Sequence, residues 1–187
     1  MRILAGEARG RPIKAPRGWA TRPTAARMRG AIFDRLAPLL AGCRVLDLFA
    51  GTGALGLEAL SRGAARATFV EESAGVVRVL RESIMALGFA GRATVLSLPV
   101  ARALPRLKGQ SFQLVLMDAP YGGGELAPAL AGLIRFALID PEGWIVAVHG
   151  VREPEPLPPP GWCVVDGRRF GDSLVTTYRH GGEGRPA

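Results

Sequence analysis

The sequence predicts an α/β fold built on a mostly parallel sheet. Three observations lead to this class: short apolar segments alternate with amphipathic ones from residue 44 onward, a glycine-rich turn joins the first such pair, and two strand-like segments end the chain. Short apolar runs are typical of strands buried on both faces, and the amphipathic runs between them supply crossover helices. Strands that alternate with helices form right-handed βαβ units and therefore a parallel sheet.

The composition is that of one globular domain. Of the 187 residues, 48% are hydrophobic and 21% are charged, whereas disordered chains combine low hydrophobicity with high net charge. We expect a single domain over residues 1–180 and a disordered tail over 181–187. Within the domain we expect an extension over 1–35 and a core over 36–180.

Membrane and secreted classes are disfavoured. The longest apolar stretch, Leu126–Ile139, contains Arg135 and is shorter than the roughly 20 residues that a membrane span requires. Met1–Arg11 has no apolar run between its charges, so it does not resemble a secretory signal. The two cysteines, Cys43 and Cys163, are far apart, which argues against a disulfide framework or a zinc site. We therefore expect a cytoplasmic protein that binds no metal.

The first predicted elements belong to the extension. Met1–Pro16 has the pattern of an irregular β-rich hairpin with Gly6 and Gly10 at its bends. Thr24 is a candidate N-cap for the helix that follows. That helix carries an apolar face, which we expect to pack the extension against the sheet; its members are Met28, Ile32, Phe33 and Leu36.

The core is predicted as four strand–helix units followed by a fifth strand. Each strand is a short apolar or β-branched run, and the helices place apolar residues three and four positions apart, as Val77, Leu80 and Ile84 do. Gly88 is a typical C-terminal helix stop. In chain order the segments are strand Arg44–Phe49, helix Ala54–Arg62, strand Ala67–Glu71, helix Ala74–Leu87, strand Ala93–Leu98, helix Val100–Leu107, strand Phe112–Met117, helix Glu125–Leu138 and strand Gly143–His149.

The last part of the chain has a different pattern. Glu153–Gly161 is rich in proline and is expected to form a stiff surface connection, because proline excludes helix and interior strand. Trp162–Asp166 and Ser173–Arg179 are the sixth and seventh strands, separated by Gly167–Asp172. Two strands this close form a hairpin, so the last strand runs antiparallel to one neighbour.

Positive charge is concentrated at the start of the chain. Residues 1–35 contain nine of the 24 Lys and Arg but only two of the 16 acidic residues, Glu7 and Asp34, so this segment carries nearly all of the net charge of +8. A basic segment attached to a nearly neutral body is typical of a protein that binds a polyanion. The alternative is a solvated arm of an arginine-rich chain.

The turn after the first strand has the pattern of a cofactor site. Residues 47–56 read DLFAGTGALG and satisfy G-x-G-x-x-G between a strand and a helix. Glu71 ends the next strand 20 residues after Gly51, where its carboxylate can accept hydrogen bonds from ribose hydroxyls. This pattern fits NAD as well as any other adenosine-bearing cofactor, and the simplest alternative is a glycine-rich turn without a ligand.

Asp47 distinguishes among these cofactors. It lies four residues before Gly51, at the polar end of the expected ligand. A pyrophosphate is repelled by an adjacent carboxylate, whereas the sulfonium and ammonium groups of S-adenosylmethionine are attracted to one. The competing role for Asp47 is to cap the amides of the loop.

A second candidate site follows the fourth strand, where Asp118, Ala119, Pro120 and Tyr121 are consecutive. Ligands of parallel sheets bind at the carboxyl ends of the strands, so Asp118 and Gly51 are expected to line one crevice. A carboxylate and a backbone carbonyl can accept hydrogens from an exocyclic amine, and an aromatic ring can stack on the base. The arrangement suits methyl transfer to nitrogen; the alternative is an ordinary turn, in which Asp, Pro and Gly are common.

These residues resemble those of a known family, the bacterial methyltransferases that modify the exocyclic N2 of a guanine in 16S ribosomal RNA. The resemblance covers roughly residues 2–180. It depends on RILAG at 2–6 with Arg9-Gly10-Arg11, on Arg22-Pro23-Thr24 with Arg27 and Arg29, on LFAGTGALGLEALSR at 48–62, on Val70-Glu71 and on Asp118 to Tyr121.

The resemblance implies a seven-stranded, Rossmann-like methyltransferase that uses S-adenosylmethionine and acts on 16S rRNA within a small-subunit assembly intermediate. The implied catalytic residues are Asp118, Ala119, Pro120 and Tyr121. The candidate cofactor-binding residues are Asp47, Phe49, Ala50, Gly51, Gly53, Glu71, Glu72 and Val100. The candidate RNA-binding residues are Arg9, Arg11, Lys14, Arg22, Thr24, Arg27 and Arg29.

Three positions depart from the family pattern. Ala119 replaces the first of two prolines, which retains the carbonyl but loosens the turn. Pro99-Val100 stands where an Asp or Asn commonly binds the adenine amino group, so adenine recognition would depend on backbone groups near Val100. Gly30 replaces an acidic residue that often follows the second arginine of the helix.

Three other functions remain as alternatives. A DNA adenine-N6 methyltransferase would use the same Asp118 segment, but no segment here suggests a target-recognition domain. An NAD-dependent reductase leaves both that segment and the basic extension unexplained. A non-catalytic RNA-binding assembly factor on a methylase fold would bind S-adenosylmethionine without transferring its methyl group.

Overall fold

A computed structural model of the chain describes residues 1–16, 23–120, 122 and 124–181; the other residues of the predicted tail lie outside this description. In chain order its helices and strands are α1 (Pro23–Leu40), β1 (Arg44–Leu48), α2 (Ala54–Ser61), β2 (Arg66–Glu71), α3 (Ala74–Leu87), β3 (Ala93–Ser97), α4 (Val100–Arg106), β4 (Phe112–Asp118), α5 (Leu126–Arg135), β5 (Ile139–Gly150), β6 (Trp162–Phe170) and β7 (Ser173–His180). The predicted α/β class and the seven strands are confirmed.

The seven strands form one sheet in the order β3-β2-β1-β4-β5-β7-β6. The first five strands along the chain pair in parallel, and β7 runs antiparallel to both β5 and β6. Because the chain crosses from β3 at one edge to β4 on the far side of β1, the strand order reverses beside β1. Crevices form at such reversals, at the carboxyl ends of the strands.

The sheet is covered on both faces. Helices α1, α2 and α3 bury one apolar layer, with Phe33, Leu57 and Leu80 among its fully buried side chains. Helices α4 and α5 bury the other, which includes Leu104 and Leu133. Burial on both faces explains why the central strands are apolar almost throughout. Among the residues that the structure describes, no helix is long and apolar enough to cross a bilayer.

Two strand boundaries differ from the predicted ones. Strand β5 begins at Ile139 rather than Gly143, because Ile139 pairs with Phe112 and the register then shifts before Trp144 pairs with Leu114. Strand β6 continues to Phe170, where only a two-residue turn separates it from β7. As an edge strand, β6 accommodates polar residues, so its second half lacks the apolar pattern that predicts a strand.

Helix α1 begins one residue earlier than expected. Its first residue is Pro23, whose fixed φ suits the first helical position, so the expectation that Thr24 is the N-cap is wrong. The apolar face is as predicted: Met28, Ile32, Phe33 and Leu36 are all buried.

The N-terminal hairpin is present and is attached to α2. Arg2 and Pro12 form an antiparallel bridge, and Gly6 and Gly10 take positive φ angles of 83° and 78° at the bends. Ser61, in the last turn of α2, accepts a hydrogen bond from the Glu7 N–H at 2.9 Å through its carbonyl. A Cβ on Gly6 would lie 1.8 Å from that carbonyl oxygen, so only glycine fits here.

A buried carboxylate makes the second attachment. Glu58 of α2 is fully buried, and its oxygens accept hydrogen bonds from the N–H groups of Leu4 at 2.8 Å and Ala5 at 3.0 Å. The guanidinium of Arg62 donates to the same carboxylate at 2.8 Å, and Arg29 Nε lies 3.6 Å from it. Since Arg29 belongs to α1, one side chain joins the hairpin, α1 and α2.

We expect Glu58→Gln to lower the free energy of unfolding by about 3 kcal/mol, because removing one partner of a buried ion pair leaves the other charge uncompensated. Urea unfolding measures the change. The control is Glu142→Gln, since that glutamate is 86% exposed and pairs with Arg179 at the surface; its loss should cost less than about 1 kcal/mol. Equal effects of the two substitutions would show that the Glu58 contacts do not hold the extension.

Candidate active site

A crevice of about 1130 Å³ lies at the carboxyl ends of β1, β2 and β4. This volume exceeds the roughly 300–1,000 Å³ of ordinary small-molecule pockets, so it has room for a nucleoside cofactor and part of a second substrate. Predicted site residues that line it are Asp47, Phe49, Ala50, Gly51, Glu71, Glu72, Val100, Asp118, Ala119 and Pro120. Tyr121 lies outside the described residues.

Glu71 connects the two cofactor loops. One of its carboxylate oxygens accepts a hydrogen bond from the Gly51 N–H at 2.9 Å, and the other accepts one from the Ser73 N–H at 2.8 Å. These bonds fix the carboxylate at the crevice wall. Because each carboxylate oxygen can accept more than one hydrogen bond, both oxygens retain capacity for ribose hydroxyls.

The turn after β1 is strained at its first residue. Phe49 has a positive φ of 60°, which is rare for an aromatic residue. The Ala50 N–H donates to the Val70 carbonyl at 2.9 Å and the Gly53 N–H to the Ala50 carbonyl at 2.7 Å, so the surrounding bonds hold the turn in place. Strain held in this way is typical of ligand sites.

Two glycines of the G-x-G-x-x-G pattern serve packing. A Cβ on Gly56 would lie 2.3 Å from the Phe69 ring, so α2 could not approach β2 as closely with any other residue. A Cβ on Gly53 would lie 2.3 Å from Leu80 Cδ1. The expectation that the missing side chain of Gly53 leaves space for the cofactor is therefore corrected: that space is in the apolar core, and Gly51 is the glycine at the crevice.

Asp47 has a local partner as well as a place in the crevice. One carboxylate oxygen accepts the N–H of Gly56 at 2.8 Å, which caps a free amide in the first turn of α2. This contact supports the capping alternative, and it leaves a ligand role open. Burial raises the pKa of Asp47 well above its usual range, the Gly56 hydrogen bond opposes this, and the charges of Asp118 and Glu71 raise it further.

Asp118 ends β4 with its carboxylate in the crevice. The side chain touches solvent within the crevice, but protein surrounds it on the other sides. This dehydration raises its pKa to about 6. The group is therefore largely ionised near neutral pH and can still take up a proton readily, a property that suits a site where an amine loses a proton.

The loop after Asp118 is held by a residue from the proline-rich connection. The Glu153 carboxylate accepts a hydrogen bond from the N–H of Gly122 and one from the N–H of Gly150 at 2.6 Å. These bonds lower the pKa of Glu153. In the same turn, the Val151 N–H donates to the Asp172 carbonyl at 3.0 Å. The connection is thus more than the surface spacer that its prolines suggest.

Part of the crevice wall comes from residues that the sequence did not indicate. Phe170, Gly171, Asp172 and Ser173 reach it from the β6–β7 turn, and Met1, Ala25 and Met28 reach it from the N-terminal segment. Antiparallel pairing of β5 with β7 brings Ser173 beside Gly150. No local motif marks such residues, because their position depends on strand order alone.

The candidate RNA-binding residues have different surroundings. The Arg11 guanidinium donates to the carbonyls of Leu87, at 3.1 Å, and Ala86, in the last turn of α3, and Lys14 pairs with Glu82 at 2.9 Å. Arg9 and Arg27 are exposed, and their guanidinium groups make no hydrogen bond or ion pair within the described part of the chain. Arg22 and the side chain of Thr24 lie outside the described residues.

Arg29 is the clear correction within this set. It is only 4% exposed, its guanidinium donates to the Arg2 carbonyl at 2.7 Å, and it is paired with Glu58. Burial lowers its pKa. A buried, bonded arginine cannot contact an RNA backbone at the surface, so its role here is to join α1 to the hairpin, beside the crevice.

The strand order, the strained turn after β1 and the acidic segment after β4 together define the class of protein: a Rossmann-like methyltransferase. Residues 1–179 match a family model described as conserved hypothetical protein 95, and the chain belongs to that family. A relative from Escherichia coli K12, ribosomal RNA small subunit methyltransferase D, is 33% identical over 184 residues, which cover 98% of this chain and 92% of that protein.

Other relatives agree. The protein of the same name from Haemophilus influenzae is 28% identical over 181 residues, covering 96% of this chain and 92% of that protein. The solved structure of the Escherichia coli protein yhhF superposes with a TM-score of 0.85 at 31% identity, covering 98% and 99% of the two chains. A hypothetical protein of Thermus thermophilus gives 0.80 at 35% identity, covering 96% and 99%. These findings confirm the predicted methyltransferase fold and the resemblance to small-subunit rRNA methyltransferases.

Replacing Glu153 tests whether it positions the catalytic loop. We expect Glu153→Ala to lower the rate of methyl transfer at saturating substrates by about tenfold or more, because small displacements of catalytic groups are costly. Glu153→Gln keeps one acceptor oxygen and should fall between the two. Cofactor affinity and melting temperature should stay close to those of the parent, as should all three quantities in the control Glu142→Ala. A fall in cofactor affinity or melting temperature as large as the fall in rate would indicate a merely structural role.

Proposed function

We propose that this protein transfers a methyl group from S-adenosylmethionine to the exocyclic N2 of a guanine in 16S ribosomal RNA. The observation that carries the proposal is the position of Asp118, which shares one crevice with the glycine turn and Glu71. A donor held by the turn and an amine held by Asp118 would meet there. The relatives named small subunit methyltransferase D support the same substrate class.

The crevice suits a cationic methyl donor. Asp47, Glu71 and Asp118 give its wall a negative potential, which attracts a sulfonium and would repel the pyrophosphate of a dinucleotide. When bound, S-adenosylmethionine supplies an electrophilic methyl group. Glu71 is placed to accept the ribose hydroxyls, and backbone groups near Val100 would contact the adenine. Glu72 and Phe49 complete this part of the wall.

The acceptor base would be held by the segment after β4. Asp118 and the Ala119 carbonyl would accept hydrogens of the guanine amine and direct its lone pair at the methyl group, and Tyr121 would stack on the ring. A guanine must leave its stack to reach the crevice. As the new C–N bond forms, one N2 proton must depart, and the Asp118 carboxylate can accept it before passing it to solvent. Positioning and exclusion of water would supply most of the rate acceleration.

The extension would bind the RNA backbone. Arg9 and Arg27 are exposed, and Arg11 and Lys14 add positive charge to the N-terminal hairpin. Because the hairpin is fixed to α2, residues 1–35 and the core over 36–180 would act as one domain. We propose a small-subunit assembly intermediate as the substrate, with the reaction taking place in the cytoplasm.

The deciding experiment is methyl transfer from tritiated S-adenosylmethionine to small ribosomal subunits that lack their native modifications, with free 16S rRNA and duplex DNA in parallel. Nucleoside analysis should give N2-methylguanosine in the rRNA of the particle. N6-methyladenosine would replace the proposed acceptor. Binding of the donor without transfer to any nucleic acid would favour a non-catalytic assembly factor.

Asp118 variants separate chemistry from cofactor binding. We expect Asp118→Ala to lower the transfer rate by about 100-fold or more, as is usual for a group that handles a proton, and to change donor affinity no more than a few-fold. Asp118→Asn retains an acceptor oxygen without the charge and should lie between Ala and the parent. Single-turnover rates and equilibrium dialysis measure the two effects. If donor affinity falls as much as the rate, Asp118 contacts the donor and its assigned role is wrong.

The raised pKa of Asp118 predicts how the rate depends on pH. The ionised carboxylate is the form that accepts hydrogen bonds from the amine, so the single-turnover rate should be constant well above pH 6 and fall about tenfold per unit below it. Asp118→Asn should not show this fall. RNA and donor binding are measured over the same range, so that weakened binding is distinguished from slower transfer. A parent enzyme with a flat rate from about pH 5 to about pH 8 would contradict the assignment.

A further inference from the structure

The surface of α3 carries a basic groove that the proposed active site does not use. The groove has a volume of about 460 Å³ and lies between α3 and the N-terminal hairpin; it is lined by Lys14, Ala74, Arg78, Arg81, Glu82 and Met85. Arg78 and Arg81 are three positions apart, so they share one face of the helix. Both are exposed, and Met85 beside them is 68% exposed.

The two arginines are not neutralised by their neighbours. Glu82, the one acidic residue of the groove, is already paired with Lys14 at 2.9 Å. The guanidinium groups of Arg78 and Arg81 make no hydrogen bond or ion pair with any residue that the structure describes. Arg11 adds a third cation at the carboxyl end of the same helix. Like charges close together on a helix are unfavourable, so this face is suited to an anionic partner.

The groove is continuous with the crevice. Helix α3 begins at Ala74, which lines the groove, and the preceding residue Ser73 lines the crevice. A helix of 14 residues is about 21 Å long. Its exposed face therefore leads from the rim of the crevice to the N-terminal hairpin, the direction in which a polymer entering the crevice would extend.

We propose that the exposed face of α3, with Lys14 opposite, is a docking surface for the phosphate backbone of the RNA that is methylated. This inference rests on the proposed function, since it takes RNA as the substrate. The crevice is acidic and the α3 face is basic, so the cationic donor and the polyanion are directed to adjacent surfaces. Met85 supplies an apolar contact for a sugar or base among the charges.

The test compares two double variants that each remove two exposed positive charges. Arg78→Ala/Arg81→Ala alters the groove, and Arg106→Ala/Lys108→Ala alters the end of α4 on the opposite face of the sheet. Affinity for a 16S rRNA transcript is measured by filter binding over a range of KCl concentrations. Dialysis with S-adenosylmethionine shows that each variant is folded.

For the groove variant we expect RNA affinity to fall by about tenfold or more near 0.1 M salt and the slope of log affinity against log salt to decrease by about 1.4 to 1.8, or 0.7 to 0.9 per phosphate contact. Arg78→Lys/Arg81→Lys keeps both charges and should restore the slope. The α4 variant and donor affinity should be unchanged.

The outcomes distinguish this inference from the proposed function. Tight RNA binding by the parent, with an unchanged slope in the groove variant, would overturn the α3 surface while leaving the proposed reaction intact. Unchanged binding of free RNA together with slower methylation of small subunits would assign the face to a ribosomal protein, which also overturns it. If the parent itself bound no RNA, the proposed function would fail first.

Discussion

The arrangement of this protein depends on the buried carboxylate of Glu58. Its oxygens accept the N–H groups of Leu4 and Ala5 and face two arginines, so the hairpin, α1 and α2 meet at one side chain. A buried charge is stable only when its hydrogen bonds and counter-charges are complete. The constraint therefore makes the basic extension a fixed wall of the crevice rather than a flexible arm, and it explains why Arg29 is buried.

The crevice and its surroundings separate charge by sign. Parallel strands bring Asp47, Glu71 and Asp118 to one edge of the sheet, where burial and mutual repulsion raise the pKa of Asp47. The hairpin and α3 present arginines around that acidic site. A sulfonium donor and a polyanionic acceptor need opposite potentials at neighbouring places, and this distribution provides them without a metal or a second domain in the proposed reaction.

Interactions outside the motifs complete the site. The loop after Asp118 is held by Glu153, and the wall opposite the glycine turn includes Asp172 from the β6–β7 turn. Both come from the part of the chain beyond the parallel strands. The final antiparallel hairpin therefore has two roles: it extends the sheet beyond β5, and it brings residues from the end of the chain to the carboxyl edge where the first strands end.

The sequence by itself determined the fold class, the seven strands, the glycine turn and the Asp118 segment, because apolar periodicity and local motifs are properties of neighbouring residues. It did not determine which charges are free. Arg29 and Arg9 look alike in the sequence, yet one is buried against Glu58 and the other is exposed. Only the tertiary structure decided this, and likewise the core-directed face of Gly53, the contact of Glu153 with Gly122 and the pairing of Lys14 with Glu82, since each depends on residues that are distant in the chain and meet only when strand order and helix packing are set.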